Sequence, residues 1–239
     1  MDIKKAYFEL IKDRVSDAYE KQKDQIKAVA EMFSSCMENM GVVQLFGVRH
    51  GEEFVNELNY RAGGIAPFHG LKLKELVLKE LLKQDEIDSG EVYSDLSVID
   101  KFARIYDLDD RDMYCLVSFY GNEPLIVELA RRAKEKGQKV VVVVNRKSYD
   151  KYGGKLLDYA DLYLDMDADE PDLALDIGGV KTGQLSSTVC NVIAQMITAE
   201  VYNSFVSKGR EAPVLLSANI KGADIHNNSL TDPYGRRVR

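Results

Sequence analysis

The run Lys139-Val140-Val141-Val142-Val143-Val144-Asn145 decides the fold. Five consecutive valines carry no polar alternation, so a strand built from them presents apolar side chains to both faces of its sheet. A sheet covered on both faces is characteristically parallel, with helices above and below. The flanking sequence agrees. Upstream, Met113 to Phe119 is a second β-rich apolar run, and a helix from about Glu123 to Lys136, closed by Gly137, links the two. Downstream, Leu156 to Tyr159 reads as a short helical piece and Leu162 to Met166 as a fifth strand. Towards the N-terminus lie a strand from Val42 to Phe46, a helix from about Glu52 to Tyr60 and a stop at Arg61-Ala62-Gly63-Gly64. Ile65 to Phe68 reads as a further strand, and 71–82 and 95–106 as helices. Towards the C-terminus a Gly-rich segment, Gly178 to Gly183, precedes a helix that starts at Ser186-Ser187-Thr188, runs to about Ser207 and stops at Gly209. Strands alternating with helices predict an α/β three-layer sandwich around a parallel sheet, with right-handed crossovers. Ligands of such sheets bind beyond the carboxyl ends of the strands.

The first 40 residues stand apart. Asp2 to Met40 contains neither Gly nor Pro, and Ile3, Leu10, Val15, Ala18, Gln22, Ile26, Val29, Phe33 and Cys36 follow helical spacing. One unbroken helix of that length would span about 55 Å at 1.5 Å per residue. Two readings stay open: a single helix that packs partly on a second copy of the chain, or a broken helix folded over its own core.

Size and charge bound the rest. A chain of 239 residues with five prolines and no linker-like stretch predicts one domain over residues 1–239. Lys+Arg is 32 and Asp+Glu is 39, a net charge of −7 without a basic block, which argues against general nucleic-acid or anionic-membrane binding. The basic end, Arg236, Arg237 and Arg239, reads as a solvated tail. No stretch approaches the roughly 20 apolar residues of a membrane span, and the N-terminus lacks a secretory pattern. Cys36, Cys115 and Cys190 are far apart in apolar contexts, which predicts buried free thiols and a reducing cytoplasm. No Cys/His spacing suggests a metal site, and nothing points to a cofactor.

Three junctions are rich in small and polar residues: Gly47-Val48-Arg49-His50-Gly51, Ser118-Phe119-Tyr120-Gly121-Asn122 and Leu185-Ser186-Ser187-Thr188. A helix N-terminus offers unpaired N–H groups and partial positive charge, and Ser or Thr adds donors without bulk. An anion would fit where such junctions converge. Taken singly, each has a plainer explanation: Asn122, Ser186 and Ser187 as helix caps, Pro124 as a first-turn residue, Gly47 and Gly51 as turn residues.

The segments FGVRHGEEFVNELNYRAGG, LVSFYGNEP, LSSTV and PVLLSANIKGADIHNN, in this order, resemble the sugar-isomerase (SIS) domain family, and its phosphosugar-binding branch most of all. The resemblance runs from about Glu31 to Asn228. It implies a flavodoxin-like, five-stranded parallel sheet, a dimer or higher oligomer, and a phosphorylated sugar as ligand. Gly47, Arg49, Ser118, Gly121, Asn122, Ser186, Ser187 and Thr188 are then the ligand-binding candidates. The sequence also departs from the family. The first loop keeps His50, has Gly51 in place of a serine and gains Arg49; the second keeps Ser118 and Gly121 but carries Phe119 and Tyr120 in place of polar residues. Glu123 stands where phosphate oxygens would lie and would repel them, an effect Arg49 could offset.

Aldose–ketose isomerisation needs a base for a carbon-bound proton and an acid/base to open the ring. Glu53 and Glu57 share a face of the helix after the first loop, with Arg61 one turn on. Glu57 is the candidate base, with His50 or His226 as the ring-opening group. The competing explanations are an ion network for Glu53, Glu57 and Arg61 and a structural hydrogen bond for His226. His69 and Asp176 are weaker candidates. The functions in view are a phosphosugar-binding isomerase, a non-catalytic sugar-phosphate sensor, and an amino-sugar-phosphate lyase or etherase. The N-terminal helical segment is expected in a dimer interface.

Overall fold

A computed structural model describes residues 2–170 and 172–238. The chain opens with one unbroken 36-residue helix, α1 (Ile3–Glu38), whose N-cap Asp2 accepts from the amides of Lys4 and Lys5 at 3.1 and 3.3 Å. There is no break over its own core; the first half carries little buried surface, whereas Ala18, Gln22, Ile26, Val29 and Phe33 are buried. There follow β1 (Val43–Gly47), α2 (Gly51–Leu58), β2 (Phe68–Gly70), α3 (Leu73–Leu78), α4 (Gln84–Asp88), α5 (Ser97–Ile105) and β3 (Met113–Val117). The second half comprises α6 (Pro124–Glu135), β4 (Val140–Val144), α7 (Arg146–Tyr152), β5 (Leu162–Asp165), β6 (Leu175–Ile177), β7 (Val180–Thr182), α8 (Ser186–Ser207) and α9 (Ala223–Thr231).

Among the described residues, five strands form a parallel sheet in the order β2-β1-β3-β4-β5. The valine run behaves as its composition predicts. Val141 and Val143 join the core under α1, α2 and α8, while Val140, Val142 and Val144 join the core under α3, α5 and α6. Each strand alternates in the same way, so Leu45 and Cys115 face one layer and Phe46 and Leu116 the other. The edge of β5 is closed by a side chain: Gln22 donates to the Asp165 carbonyl at 2.8 Å and accepts from its amide at 2.7 Å.

Several elements differ from expectation. The second strand is Phe68–Gly70 rather than Ile65 to Phe68, because residues 63–66 pair with the C-terminal segment instead. The Gly63 amide donates to Leu215 O at 2.8 Å, Leu215 N to Gly64 O at 2.9 Å and Ala66 N to Pro213 O at 2.8 Å. The helix expected over 71–82 stops at Leu78, with Glu80 at φ +58°. The Gly-rich segment is a hairpin, β6–β7, turned by Gly178 and Gly179 at φ +63° and +85°. Arg237 is no solvated tail: it is 6% exposed and pairs with Asp112, itself 2% exposed. Arg236 forms a surface pair with Asp107, and Arg239 lies outside the described residues.

Asp112 also accepts from Val42 N (2.9 Å) and Gln44 Nε2 (3.0 Å). With its amide nitrogen so engaged, Gln44 turns its oxygen to His69 Nδ1 at 2.7 Å, and the ring therefore donates there. His69 is 5% exposed, and burial, then Lys72, lowers its pKa to about 4. The three thiols are free; burial pushes those of Cys115 and Cys190 up to about 12, and Cys36, also raised to about 12, is only partly shielded.

The strand ends are shaped by close backbone approach. A Cβ on Gly51 would stand 2.5 Å from Val117 O, and one on Gly47 would collide with the Gly51 carbonyl. The first turn of α2 can therefore press onto the end of β3 only while both positions lack a side chain.

Both the close approach and the buried imidazole have measurable consequences. Gly51→Ala should lower stability by about 1–3 kcal/mol in urea denaturation, because the contact is with backbone and cannot rotate away. His69 is held neutral by the fold, so below its unfolded pKa the unfolded chain takes up a proton that the folded chain refuses. Stability should fall from about pH 6.5 to pH 4 by up to about 3 kcal/mol on this account. Denaturation of His69→Asn over the same range should show a loss smaller by that amount, and an identical loss in the two proteins would remove His69 from the explanation.

Candidate functional site

The sheet order reverses between β1 and β3: the chain leaves β1 for β2 on one side and later returns to β3 on the other. Loops at such a switch point diverge and leave a crevice. Here the crevice is a cavity of about 500 Å³, within the size range of small-molecule sites. The β1 loop supplies Val48, Arg49 and His50; the β3 loop supplies Phe119, Tyr120, Asn122 and Glu123; Glu170 and Asp172 close it.

In the β1 loop Arg49 adopts φ +53°, rare outside glycine. Its guanidinium lies over the Tyr93 ring, 5.3 Å from the centroid, and makes no ion pair among the described residues. His50, exposed at the start of α2, has its Nδ1 3.3 Å from Gln184 Nε2. Gly47 sits beneath them as the last residue of β1.

The β3 loop is built on Ser118. This buried hydroxyl accepts from the Gly121 amide at 2.7 Å and donates to Glu123 at 2.5 Å. Gly121 takes φ +65°, and a Cβ there would meet the Tyr149 ring at 2.7 Å. Asn122 is exposed and donates to the Tyr152 carbonyl at 3.3 Å. Phe119 and Tyr120 meet edge to face, as do Tyr120 and Tyr152. Burial, followed by the Glu170 carboxylate, raises the pKa of the Tyr120 hydroxyl; Glu123 also raises it and Arg49 opposes them, so these charges act on one point of the wall.

At the third junction the first two amides, those of the N-cap Leu185 and of Ser186, are already engaged. Asp172 accepts from Leu185 N at 3.2 Å and from Ser186 N at 3.1 Å, and the Ser186 hydroxyl donates to it as well. A carboxylate from 14 residues upstream thus occupies the seat expected for an anion. Ser186 is buried, the Ser187 Oγ is buried without a hydrogen-bond partner among the described residues, and Thr188 is exposed.

The acid–base candidates are scattered. His50 lines the cavity; Glu57 and His226 do not. Glu57 pairs with Arg61 one turn away and accepts from Gln195 Nε2 on α8 at 2.7 Å, while Glu53 is exposed. The His226 ring lies 3.0 Å from Val214 O and ties α9 to the segment zipped against 63–66. His69 belongs to the buried network, and Asp176 caps the hairpin turn through the Gly179 amide at 2.9 Å.

Sequence reasoning missed Glu170, Asp172 and the Arg49–Tyr93 contact. Glu170 and Asp172 lie in the acidic run 165–172, which has no periodicity to mark it, and Tyr93 follows Arg49 by more than 40 residues. Among the described residues no group of His, Cys, Asp and Glu is arranged to hold a metal ion, and no helix is long and apolar enough to cross a membrane.

Known proteins bear on this geometry in two ways. The model of the SIS domain matches residues 6–145. A UPF0309 protein of Thermoanaerobacter pseudethanolicus is 33% identical, with 95% of this chain and 97% of that protein covered, and one from Halalkalibacterium halodurans is 29% identical, with 98% and 95% covered. Among solved structures, a phosphoheptose isomerase from Francisella tularensis superposes with TM-score 0.57 at 17% identity, covering 84% of this chain and 96% of that one. An E. coli CFT073 protein, solved as a complex with a ligand, gives TM-score 0.53 at 14% identity, covering 85% and 89%. At these identities the structural likeness is one of fold, a five-stranded parallel α/β sandwich. The extent of the sequence match decides the family, and the chain belongs to the SIS domain proteins.

Proposed function

We propose that the chain binds a small phosphorylated sugar in the cavity between the β1 and β3 loops. The observation that carries this reading is Arg49: a guanidinium held at the switch-point cavity, stacked on Tyr93 and free of any carboxylate partner among the described residues. A phosphate would lie between Arg49 and the first turn of α8. Asp172 indicates that this turn accepts an oxyanion, and the phosphate would replace that carboxylate and take up the Ser187 hydroxyl and Thr188. Ser118 and Gly121 shape the loop over the sugar, Asn122 offers its amide at the rim, and Tyr120 gives an aromatic face. A solved protein of the same fold, named as a phosphoheptose isomerase, agrees with a sugar-phosphate ligand.

The geometry supports binding more directly than turnover, because Glu57 is tied to Arg61 and Gln195 outside the cavity wall. Aldose–ketose isomerisation is the second reading, favoured by His50 in that wall. Its competitor is a sensor without chemistry.

We further propose a homodimer through α1 and α8. Helix α8 is apolar around most of its circumference, with Tyr202 and Val206 half exposed, and the N-terminal half of α1 exposes Phe8. A helix of this kind is normally buried on more than one side.

Calorimetry against matched aldose and ketose phosphates and their unphosphorylated sugars tests the ligand. A phosphorylated sugar should bind and its parent should not; Arg49→Ala should weaken binding about tenfold or more, and Asp172→Asn should strengthen it. Equal binding of sugar and sugar phosphate would overturn the proposal. Glu57→Gln should leave affinity unchanged, so interconversion by the wild type that is lost in this variant would decide for the isomerase reading. Sedimentation at micromolar concentration should give a dimer, and a monomer would remove the interface.

A further inference from the structure

We infer that the ligand carries a protonated amine beside its phosphate, and that Glu123 receives it. This rests on the proposed sugar-phosphate site and specifies the substrate class.

Three carboxylates line the cavity, and they are not equivalent. Glu170 is paired with Lys151 at 3.1 Å and accepts from the Tyr152 hydroxyl. Asp172 is engaged by the amides of Leu185 and Ser186 and by the Ser186 hydroxyl. Glu123 has only the Ser118 hydroxyl, at 2.5 Å, and no cation within ion-pair distance among the described residues. It is half-buried at the start of α6, so its charge is neither neutralised nor fully hydrated. Arg49 is the matching unpaired cation in the same cavity.

A cavity with one unpaired cation and one unpaired carboxylate complements a ligand with one anionic and one cationic group. A sugar phosphate without an amine satisfies Arg49 but brings roughly 1.5 to 2 further negative charges towards Glu123. An ammonium group cancels that repulsion and donates a charge-assisted hydrogen bond to the free oxygen of Glu123. The aromatic pair in the loop fits the same ligand. Phe119 has no donor to offer a phosphate, and the rings of Phe119 and Tyr120, beside Glu123 in the wall, present electron-rich faces to a cation.

The experiment compares glucosamine 6-phosphate, glucose 6-phosphate and N-acetylglucosamine 6-phosphate by calorimetry, on the wild-type chain and on Glu123→Gln. The glutamine keeps an acceptor for Ser118, and the thermal midpoint verifies that the loop survives. Wild type should bind the amine about tenfold tighter than either uncharged counterpart. In Glu123→Gln the amine should weaken, glucose 6-phosphate should strengthen, and the two should converge to within about twofold. Raising the pH through the amine's own pKa should remove the preference in wild type and leave glucose 6-phosphate nearly unchanged. Equal wild-type affinities for amine and parent, or a preference that persists in Glu123→Gln, would overturn this inference and leave sugar-phosphate binding standing. Failure of all three compounds, and of the wider panel, would instead remove the sugar-phosphate reading itself.

Discussion

The carbonyl of Val117 and the α-carbon of Gly51 stand so close that no side chain fits between them, and the strand-end architecture follows from that contact. With Gly47 equally constrained, the chain leaves β1, turns in three residues and starts a helix against its neighbouring strand. That turn forces Arg49 into the left-handed region and directs Arg49 and His50 outwards beside the β3 loop. A non-glycine residue at such a φ costs on the order of 1 kcal/mol. The contact over Tyr93 is the compensation visible here. On the other wall Ser118 plays the corresponding part, since one buried hydroxyl holds both the Gly121 amide and Glu123.

Much of this was legible in the sequence where the controlling interaction is local. The valine run required burial on both faces, and alternating strands and helices required a parallel sheet, because both follow from side-chain periodicity. The three junctions were visible as clusters of small residues at element boundaries, and two of them do face the cavity. The misreadings share a cause: the deciding partner is distant. Arg237 looked like a solvated tail because Asp112 lies 125 residues away. Residues 63–66 looked like a strand because nothing nearby announces that 213–215 will take their hydrogen bonds. The α8 N-terminus looked open because the capping carboxylate comes from a loop without periodicity. The β6–β7 hairpin is the exception: its Gly-Gly turn was a local signal, passed over because the segment was read only as a lead into α8.

Electrostatics at the cavity cannot be read from the net charge of −7. Screening limits the reach of exposed charges to about 8 Å at physiological ionic strength, so an approaching anion responds mainly to groups in the cavity wall. There the outcome depends on which charges are already paired. Lys151 and the α8 amides account for Glu170 and Asp172, and the residual field is set by Arg49 and Glu123. Two side chains of opposite sign, neither of them in an ion pair among the described residues, give the cavity a dipolar character that its acidic composition conceals.

The side-chain amide of Gln22 repeats, against Asp165, the donor and acceptor pattern of a peptide group. In effect α1 contributes one artificial residue of a sixth strand to the exposed border of the sheet. An incoming strand from another molecule would find that rung taken. A long N-terminal helix can thus oppose open-ended sheet growth, and a glutamine on its buried stripe marks where that protection is applied.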